Sequence, residues 1–190
     1  MKTCLMHIRG ITPYSASKHL DDEEHPKREK ETHAEYDIRL WREHATFNDD
    51  NIACIPGMGL KMAIDEACKR LAIRVDERGR TLWTKFFLAG QICDYDVPLG
   101  VHKDDLESIT IWANADGRRG GSKRVKRRYP YLRQWSGVAR MSLLDLAIPI
   151  PIFERVAHEA GKLVGVGRFR PEVGGMNGRF AIDKFEWSDI

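Results

Sequence analysis

The residues best suited to chemistry sit in one stretch near the end of the chain: Gly165-Val166-Gly167-Arg168-Phe169-Arg170-Pro171-Glu172-Val173-Gly174-Gly175-Met176-Asn177-Gly178-Arg179-Phe180. Glycine lets backbone approach a ligand closely and reach conformations closed to other residues. Arginine presents a planar fork of donors that matches phosphate. Together they could hold a polyanionic backbone, although a helix C-cap followed by a hairpin would use the same glycines. A second basic run lies upstream: Arg118, Arg119, Lys123, Arg124, Lys126, Arg127, Arg128 and Arg133, with no acid among them. Tyr129, Tyr131 and Trp135 are interleaved with or follow it. Aromatic rings could stack bases, worth about 1–3 kcal/mol per base whatever its identity. The bland alternative is a solvated basic loop.

Two other groups are weaker. His33, Asp37, Trp41 and His44 would share one side of a helix, with the histidines about three turns apart. Ligand pairs on a helix sit one turn apart, so these two cannot share an ion through that helix alone. Polar residues packing on a neighbour explain them as well, with acid–base work by His33 as the sharper reading. Asp94, Asp96, Asp104 and Asp105 surround Pro98 and Gly100, where turn and helix-cap roles outweigh a metal site. His102 and His158 have no evident partner. No catalytic set, metal site or cofactor is expected.

The elements that must position these residues follow from periodicity. Cys4 to Arg9 alternates around Cys4, Met6 and Ile8, predicting a buried first strand. A polar excursion runs from about Pro13 to Pro56, and Ala34 to Ala45 within it has helical character. Leu60 to Leu71 is a clear amphipathic helix, with Leu60, Ala63, Ile64, Ala67, Cys68 and Leu71 on one stripe. Thr81 to Ala89 reads as either helix or strand. Gln91 to Val97 and Ser108 to Ala113 read as strands. Asp116 to Lys123 is a basic loop from which Arg124 to Arg128 leaves as a strand, and Val138 to Leu146 reads as a central strand. Pro149 and Pro151 open a second helix, since proline is tolerated in a first turn, and Gly165 caps its end. Arg179 to Trp187 is a last strand. The skeleton is β-α-β-β-α-β, the split βαβ arrangement, which leaves one sheet face open. RNA-recognition domains use such a face.

Composition bounds the rest. The chain has 190 residues, 42% hydrophobic, with a net charge of +3. No run is apolar enough to span a bilayer, and the first residues lack the pattern of a signal peptide. Cys4, Cys54, Cys68 and Cys93 show no Cys-x-x-Cys spacing and read as reduced thiols of a cytoplasmic protein.

On that skeleton the glycine-rich stretch resembles a loop of the RAMP superfamily, which includes CRISPR backbone and guide-processing subunits. In that family the loop lies between the second helix and last strand of a ferredoxin-like fold. The match is carried by Gly165, Gly167, Gly174, Gly175 and Gly178 with Arg168, Arg170 and Arg179. Ile55-Pro56-Gly57-Met58-Gly59-Leu60-Lys61 is similar to the segment that opens the first helix in backbone subunits. The proline and the Glu172-Val173 pair lengthen the loop relative to that pattern. Across most of its length the chain also resembles a family of uncharacterised bacteriophage proteins. Those blocks are Pro13-Tyr14-Ser15, Glu31-Thr32-His33, Trp41-Arg42-Glu43, Ala115 to Gly121, Arg124-Val125 and Gly165 to Phe180.

The expected fold class is therefore α+β: a ferredoxin-like core (split β-α-β, RRM/RAMP-type) with an inserted arm after the first strand. Residues 1–190 would form a single RAMP-like domain, with 13–55 as the arm and 116–135 as a basic loop region. The leading function is a phage-encoded protein that binds single-stranded RNA or DNA without catalysis, in the host cell cytoplasm and away from membranes. Its binding residues would be Lys61, Arg118, Arg119, Lys123, Arg124, Arg127, Arg128, Arg168, Phe169, Arg170 and Arg179. By analogy with CRISPR backbone subunits, the arm would meet the next copy and give head-to-tail self-association into a filament. One alternative is an interaction protein that mimics or blocks host CRISPR proteins. Another is a ribonuclease using His33 or another histidine.

Overall fold

Strand β1 (Lys2–Gly10) is the centre of the molecule. Its alternation buries Cys4, Met6 and Ile8 to 2% exposure or less and turns Leu5 and Arg9 outward. The structure, a computed structural model, describes residues 1–21, 23–114 and 124–189. β1 pairs antiparallel on one side with β10 (Phe180–Asp189) and on the other with β9 (Ser136–Leu143). β9 pairs in turn with β5 (Gln91–Cys93), so the sheet order is β10-β1-β9-β5.

Two helices share the core with that sheet. Helix α2 (Gly57–Leu71) buries Leu60, Ala63, Ile64, Ala67 and Cys68, the stripe that its period predicts. Helix α4 (Ile150–Glu159) starts after Pro149 and buries Phe153, Val156 and Ala157. These side chains join Cys4, Met6 and Ile8 in one apolar cluster. With α2 between β1 and β5, and α4 between β9 and β10, the connectivity is β-α-β-β-α-β. α4 continues into a π-helical turn, Ala160–Val164, which periodicity did not reveal. There Gly161 lies so close to the Phe180 carbonyl that a β-carbon would not fit.

The segment read as ambiguous between helix and strand is helix α3 (Thr84–Gly90). The strand expected over Gln91 to Val97 is split: a bend separates β5 from β6 (Val97–His102). Within the expected basic loop region 116–135, the strand expected to leave at Arg124 is β8 (Arg124–Leu132), which runs past Arg128 and pairs with β7 (Glu107–Asn114) from Arg124 to Tyr131. The other part of that loop, residues 115–123, lies outside the described residues.

The segment after β1 folds onto the core. It supplies β2 (Tyr14–Ser15), α1 (His33–Arg39), a 3₁₀ turn at Trp41–His44, β3 (Thr46–Phe47) and β4 (Ile52–Ile55). Tyr14, Trp41, Ala45 and Ile55 are buried in the main cluster. β2 pairs with the end of β8, and β3-β4-β6 form a third sheet. The helix expected over Ala34 to Ala45 stops at Arg39: the chain tightens at Leu40, and Trp41 turns inward. α1 begins with a capping box in which Thr32 and Glu35 satisfy each other's backbone amides.

The glycine-rich loop packs on this segment. Gly165 ends the helix with φ +72°. The loop then closes on itself, with the Val166 amide donating to Gly178 O at 3.0 Å and the Asn177 amide to Phe169 O at 3.0 Å. Two further amides reach the strap Pro13–Ser15: Arg168 N–H donates to Ser15 O at 2.7 Å and Gly178 N–H to Pro13 O at 2.8 Å. Gly167 and Gly178 have φ of +77° and +73°, and a β-carbon would run into the Ser15 carbonyl from the first and the Val166 carbonyl from the second. The close approach that these two glycines permit is therefore used by the protein's own backbone.

Two outcomes follow. Gly178→Ala combines a left-handed backbone cost of about 1–2 kcal/mol with a clash against a carbonyl. Calorimetry should show Tm falling by roughly 4 °C or more, and an unchanged Tm would mean the loop does not pack this way. The second concerns acid. Arg39 forks onto Glu31, with Nε and Nη2 both at 2.8 Å, and the Arg28 amide adds a third donor at 3.0 Å. These donors pull the Glu31 carboxyl down to about 2. Glu31 thus stabilises the segment fully above its ordinary range near 4.5, and that contribution is lost as pH falls through about 2. Protection factors of the amides around α1, exchange rates taken relative to intrinsic exchange at each pH, should fall across this window, and Glu31→Gln should show the lower protection already at neutral pH.

Candidate functional site

A groove of about 1070 Å³ lies between the glycine-rich loop, α2 and the strap. Its walls include Ile55, Met62, Leu88, Val164 and Val166, which are apolar. At one end stand Ser17, Lys18, His44, Arg168 and Phe169. The acids that line it are engaged: Asp65 by Lys61, Glu66 by Arg70 at 3.2 Å, and Glu172 by Arg170 at 2.6 Å. The cationic end formed by Lys18 and Arg168 is thus its distinctive electrostatic feature.

Arg168 is held as a flat plate between two rings. Its guanidinium carbon lies 3.8 Å from the centroid of Tyr129 and 4.6 Å from that of Phe169. Nη1 donates to Ser17 Oγ at 3.0 Å. Nε is buried with no hydrogen-bond partner among the described residues. Burial is the main cause lowering the Arg168 pKa from its ordinary value. A desolvated cation against aromatic faces gains more than an exposed one, about 2 kcal/mol against 0.5–1. With both faces covered, the fork can address a ligand only through its edge.

Phe169 reaches this position at a conformational cost. Its φ is +57°, in the left-handed region that a bulky residue seldom enters. Such strain costs about 1–3 kcal/mol and clusters at ligand clamps. Phe169 is 40% exposed, so its own burial does not account for that cost. Tyr129, by contrast, is buried beneath Arg168. Behind Tyr129 lie His44, whose ring is 5.8 Å away, and Asp37. His44 Nδ1 donates to Lys18 O at 2.9 Å, since a carbonyl can only accept, and Nε2 is 3.6 Å from Asp37 Oδ1. Asp37 Oδ2 accepts from Arg127 Nη1 at 2.7 Å.

The residues expected to bind are dispersed. Arg168, Phe169 and Arg170 line the groove, but the Arg170 guanidinium is paired with Glu172. Arg179 turns to the end of the second helix, donating from Nε to Lys162 O at 3.2 Å. Lys61 is bound to Asp65 and donates to Leu88 O at 2.8 Å, so it ties α2 to α3. The α2 N-terminus already has a carboxylate, because the Gly57 amide donates to Asp96 Oδ1 at 2.8 Å. Arg127 serves Asp37, and Arg128 lies over Trp41 while donating to Ser108 Oγ at 2.7 Å. Arg124 is exposed at the start of β8. Arg118, Arg119 and Lys123 lie outside the described residues.

Other readings resolve in the same way. The 3₁₀ turn brings His44 beside Asp37, not one continuous helix with His33, whose side chain lies outside the described structure. Asp94 pairs with Arg140 at 3.1 Å, and Asp96 caps α2. No metal-holding group of His, Cys, Asp or Glu occurs among the described residues. The free face of the β1 sheet carries paired charges, Arg9 with Asp183 and Lys184 with Glu186.

Several groove residues were not singled out by sequence: Ser17, Lys18 and the groove-lining role of His44. Trp112 was also missed. It is 59% exposed on β7, with Lys126 of β8 lying 5.5 Å from its ring. A legible signal existed there, since Trp112 shares the polar alternation of Thr110 while Ile109 and Ile111 occupy the other face.

The fold has counterparts among solved structures. The chain is similar to one in a cryo-EM structure of the Type III-B Cmr-beta bound to cognate target RNA, with 13% identity and a TM-score of 0.53. The match covers 98% of this chain and 61% of that one, so this chain spans about three fifths of its length. It is also similar to Cmr6 from Pyrococcus furiosus, known from a crystal structure, with 12% identity, a TM-score of 0.50 and coverage of 96% and 99%. The chain matches no protein-family model and no curated protein. At these identities the likeness concerns fold alone, and at that level it supports the expected mixed class of helices and antiparallel sheets.

Proposed function

We propose that this protein binds single-stranded nucleic acid, RNA or DNA, along the groove and does not cut it. The observation that carries the reading is the Arg168 fork, fixed between Tyr129 and the strained, exposed Phe169 at the groove's cationic end. A phosphate would meet the edge of Arg168 and the Lys18 ammonium. A base would lie on the open side of Phe169, and the apolar walls would accept sugars and further bases. Outside the groove, Arg124 and Lys126 with Trp112 offer a second basic and aromatic surface on the β7–β8 ribbon. The likeness to a chain of the Type III-B Cmr-beta, whose structure was determined bound to cognate target RNA, supports the same reading.

The histidine that lines the groove supports binding without cleavage there. His44 lines the groove, but Nδ1 is engaged with Lys18 O and Nε2 is buried toward Asp37. A general base must present a nitrogen to the proton it removes. The sequence resemblance to bacteriophage proteins extends the proposal to a phage-encoded protein in the host cytoplasm, assembling head to tail on its strand. A second reading, a protein that blocks host CRISPR proteins, is favoured by the exposed Met62 and Leu88 on the groove wall.

Fluorescence anisotropy with length-matched RNA, single-stranded DNA and duplex tests the proposal. Single strands should bind, with a salt slope to which each neutralised phosphate contributes about −0.7. Arg168→Ala should flatten that slope by about 0.7, whereas Arg170→Ala, whose charge Glu172 already balances, should change it little. Phe169→Ala should cost about 1–3 kcal/mol. An Arg168→Ala slope equal to that of the unaltered protein would place the strand elsewhere. Capture of purified host CRISPR complexes with no oligonucleotide affinity would favour the second reading.

A further inference from the structure

The strain at Phe169 has a local cause. Arg170 precedes Pro171, and the residue before a proline is pushed out of the helical region. Arg170 is extended, with φ −67° and ψ 159°, so the chain does not turn there. The reversal falls on Phe169 instead, which enters the left-handed region at φ +57°. Beyond it a 3₁₀ turn, Pro171–Val173, ends at Gly174 with φ +81°. That turn brings the chain back onto Phe169: the Gly175 amide donates to Arg170 O and the Asn177 amide to Phe169 O, both at 3.0 Å. Gly175 then faces the Phe169 carbonyl so closely that a β-carbon on it would run into both atoms of that carbonyl. Its neighbour Gly174 has open space where a β-carbon would stand.

We infer that Gly175 is a positioning residue for the Phe169 ring, and through that ring for base stacking; this rests on the groove being the ligand site. A side chain at position 175 forces the Phe169 carbonyl to swing aside. Once that carbonyl is released, a bulky residue leaves the left-handed region, where its β-carbon is crowded. The ring then loses its place 4.6 Å from the Arg168 guanidinium. Arg168 keeps the contacts that do not pass through Phe169: Tyr129 at 3.8 Å, Ser17 Oγ at 3.0 Å and its own amide on Ser15 O at 2.7 Å. Gly175 therefore governs stacking and leaves the phosphate contact in place. A glycine needed only for loop stability would weaken both together.

The split between affinity and salt slope separates the two accounts. With Gly175→Ala, single-strand affinity should fall as far as with Phe169→Ala, about 5- to 150-fold for one stacked base. The salt slope should stay that of the unaltered protein. Adding Gly175→Ala to Phe169→Ala should cost nothing further, because two residues that act through one contact are not additive. A reading without ligand is the NMR shift of the Arg168 δ-protons, which a neighbouring aromatic ring displaces. Gly175→Ala should move these signals to their positions in Phe169→Ala. Gly174→Ala carries a left-handed backbone cost but meets no atom, and should leave them in place. Arg168 signals unchanged in Gly175→Ala, a flattened slope, or a further loss in the double variant would overturn the inference. If the unaltered protein binds no strand, the nucleic-acid reading fails, while the Arg168 signals still decide the role of Gly175.

Discussion

Two backbone hydrogen bonds join the parts of this molecule that matter most. Arg168 N–H to Ser15 O and Gly178 N–H to Pro13 O fasten the glycine-rich loop to the strap after β1. The loop belongs to the last connection of the four-stranded core. The strap, through Tyr14 and Ser15, is hydrogen-bonded to β8 in the second sheet. Each bond contributes only about 0.5–1.5 kcal/mol net. Their importance is geometric: they bring Arg168 from one sheet's loop against Tyr129 from another sheet's strand. Glycine at 167 and 178 is the condition for that approach, because any β-carbon there would collide with a carbonyl.

The arginines divide into two kinds of use. Exposed pairs such as Arg9 with Asp183 contribute little, because water and salt screen them. They balance the surface and leave the free face of the main sheet without a field of one sign. Arg168 is different, since burial raises the cost of its charge and the stacked rings offset part of it. A cation kept in that setting, with a buried donor lacking a partner among the described residues, is one that an anion would stabilise. Trp41 shows the structural counterpart: it is buried between Arg42 and Arg128, whose guanidinium carbons lie 4.4 and 4.6 Å from its ring, and it anchors the inserted segment to β8.

Much of the core was legible because it obeys local periods. The stripe of α2, the alternation of β1 and the proline-opened second helix each repeat over several residues, and burial follows the repeat. What was not legible depends on partners distant in sequence. Lys61 reads as a helix-start cation for phosphate, yet Leu88 O and Asp65 claim it. Arg170 reads as the equal of Arg168, yet Glu172 lies two residues away and neutralises it. That pairing is local in the chain, but whether the two side chains meet is set by the 3₁₀ turn at Pro171–Val173. The groove wall formed by Ser17, Lys18 and His44 has no period at all, so only folding assembles it.

The sequence alone determined the order of elements, and with it a split βαβ core whose glycine- and arginine-rich loop sits before the last strand. Those features are set by local hydrophobic spacing, proline placement and glycine content, which act over a few residues. The tertiary structure decided which cation is available and where it points. That choice rests on contacts between residues more than a hundred positions apart, Arg168 with Ser15 and Ser17, and about forty apart, Arg168 with Tyr129. Charge and ring stacking depend on distance in space, and no local pattern encodes it.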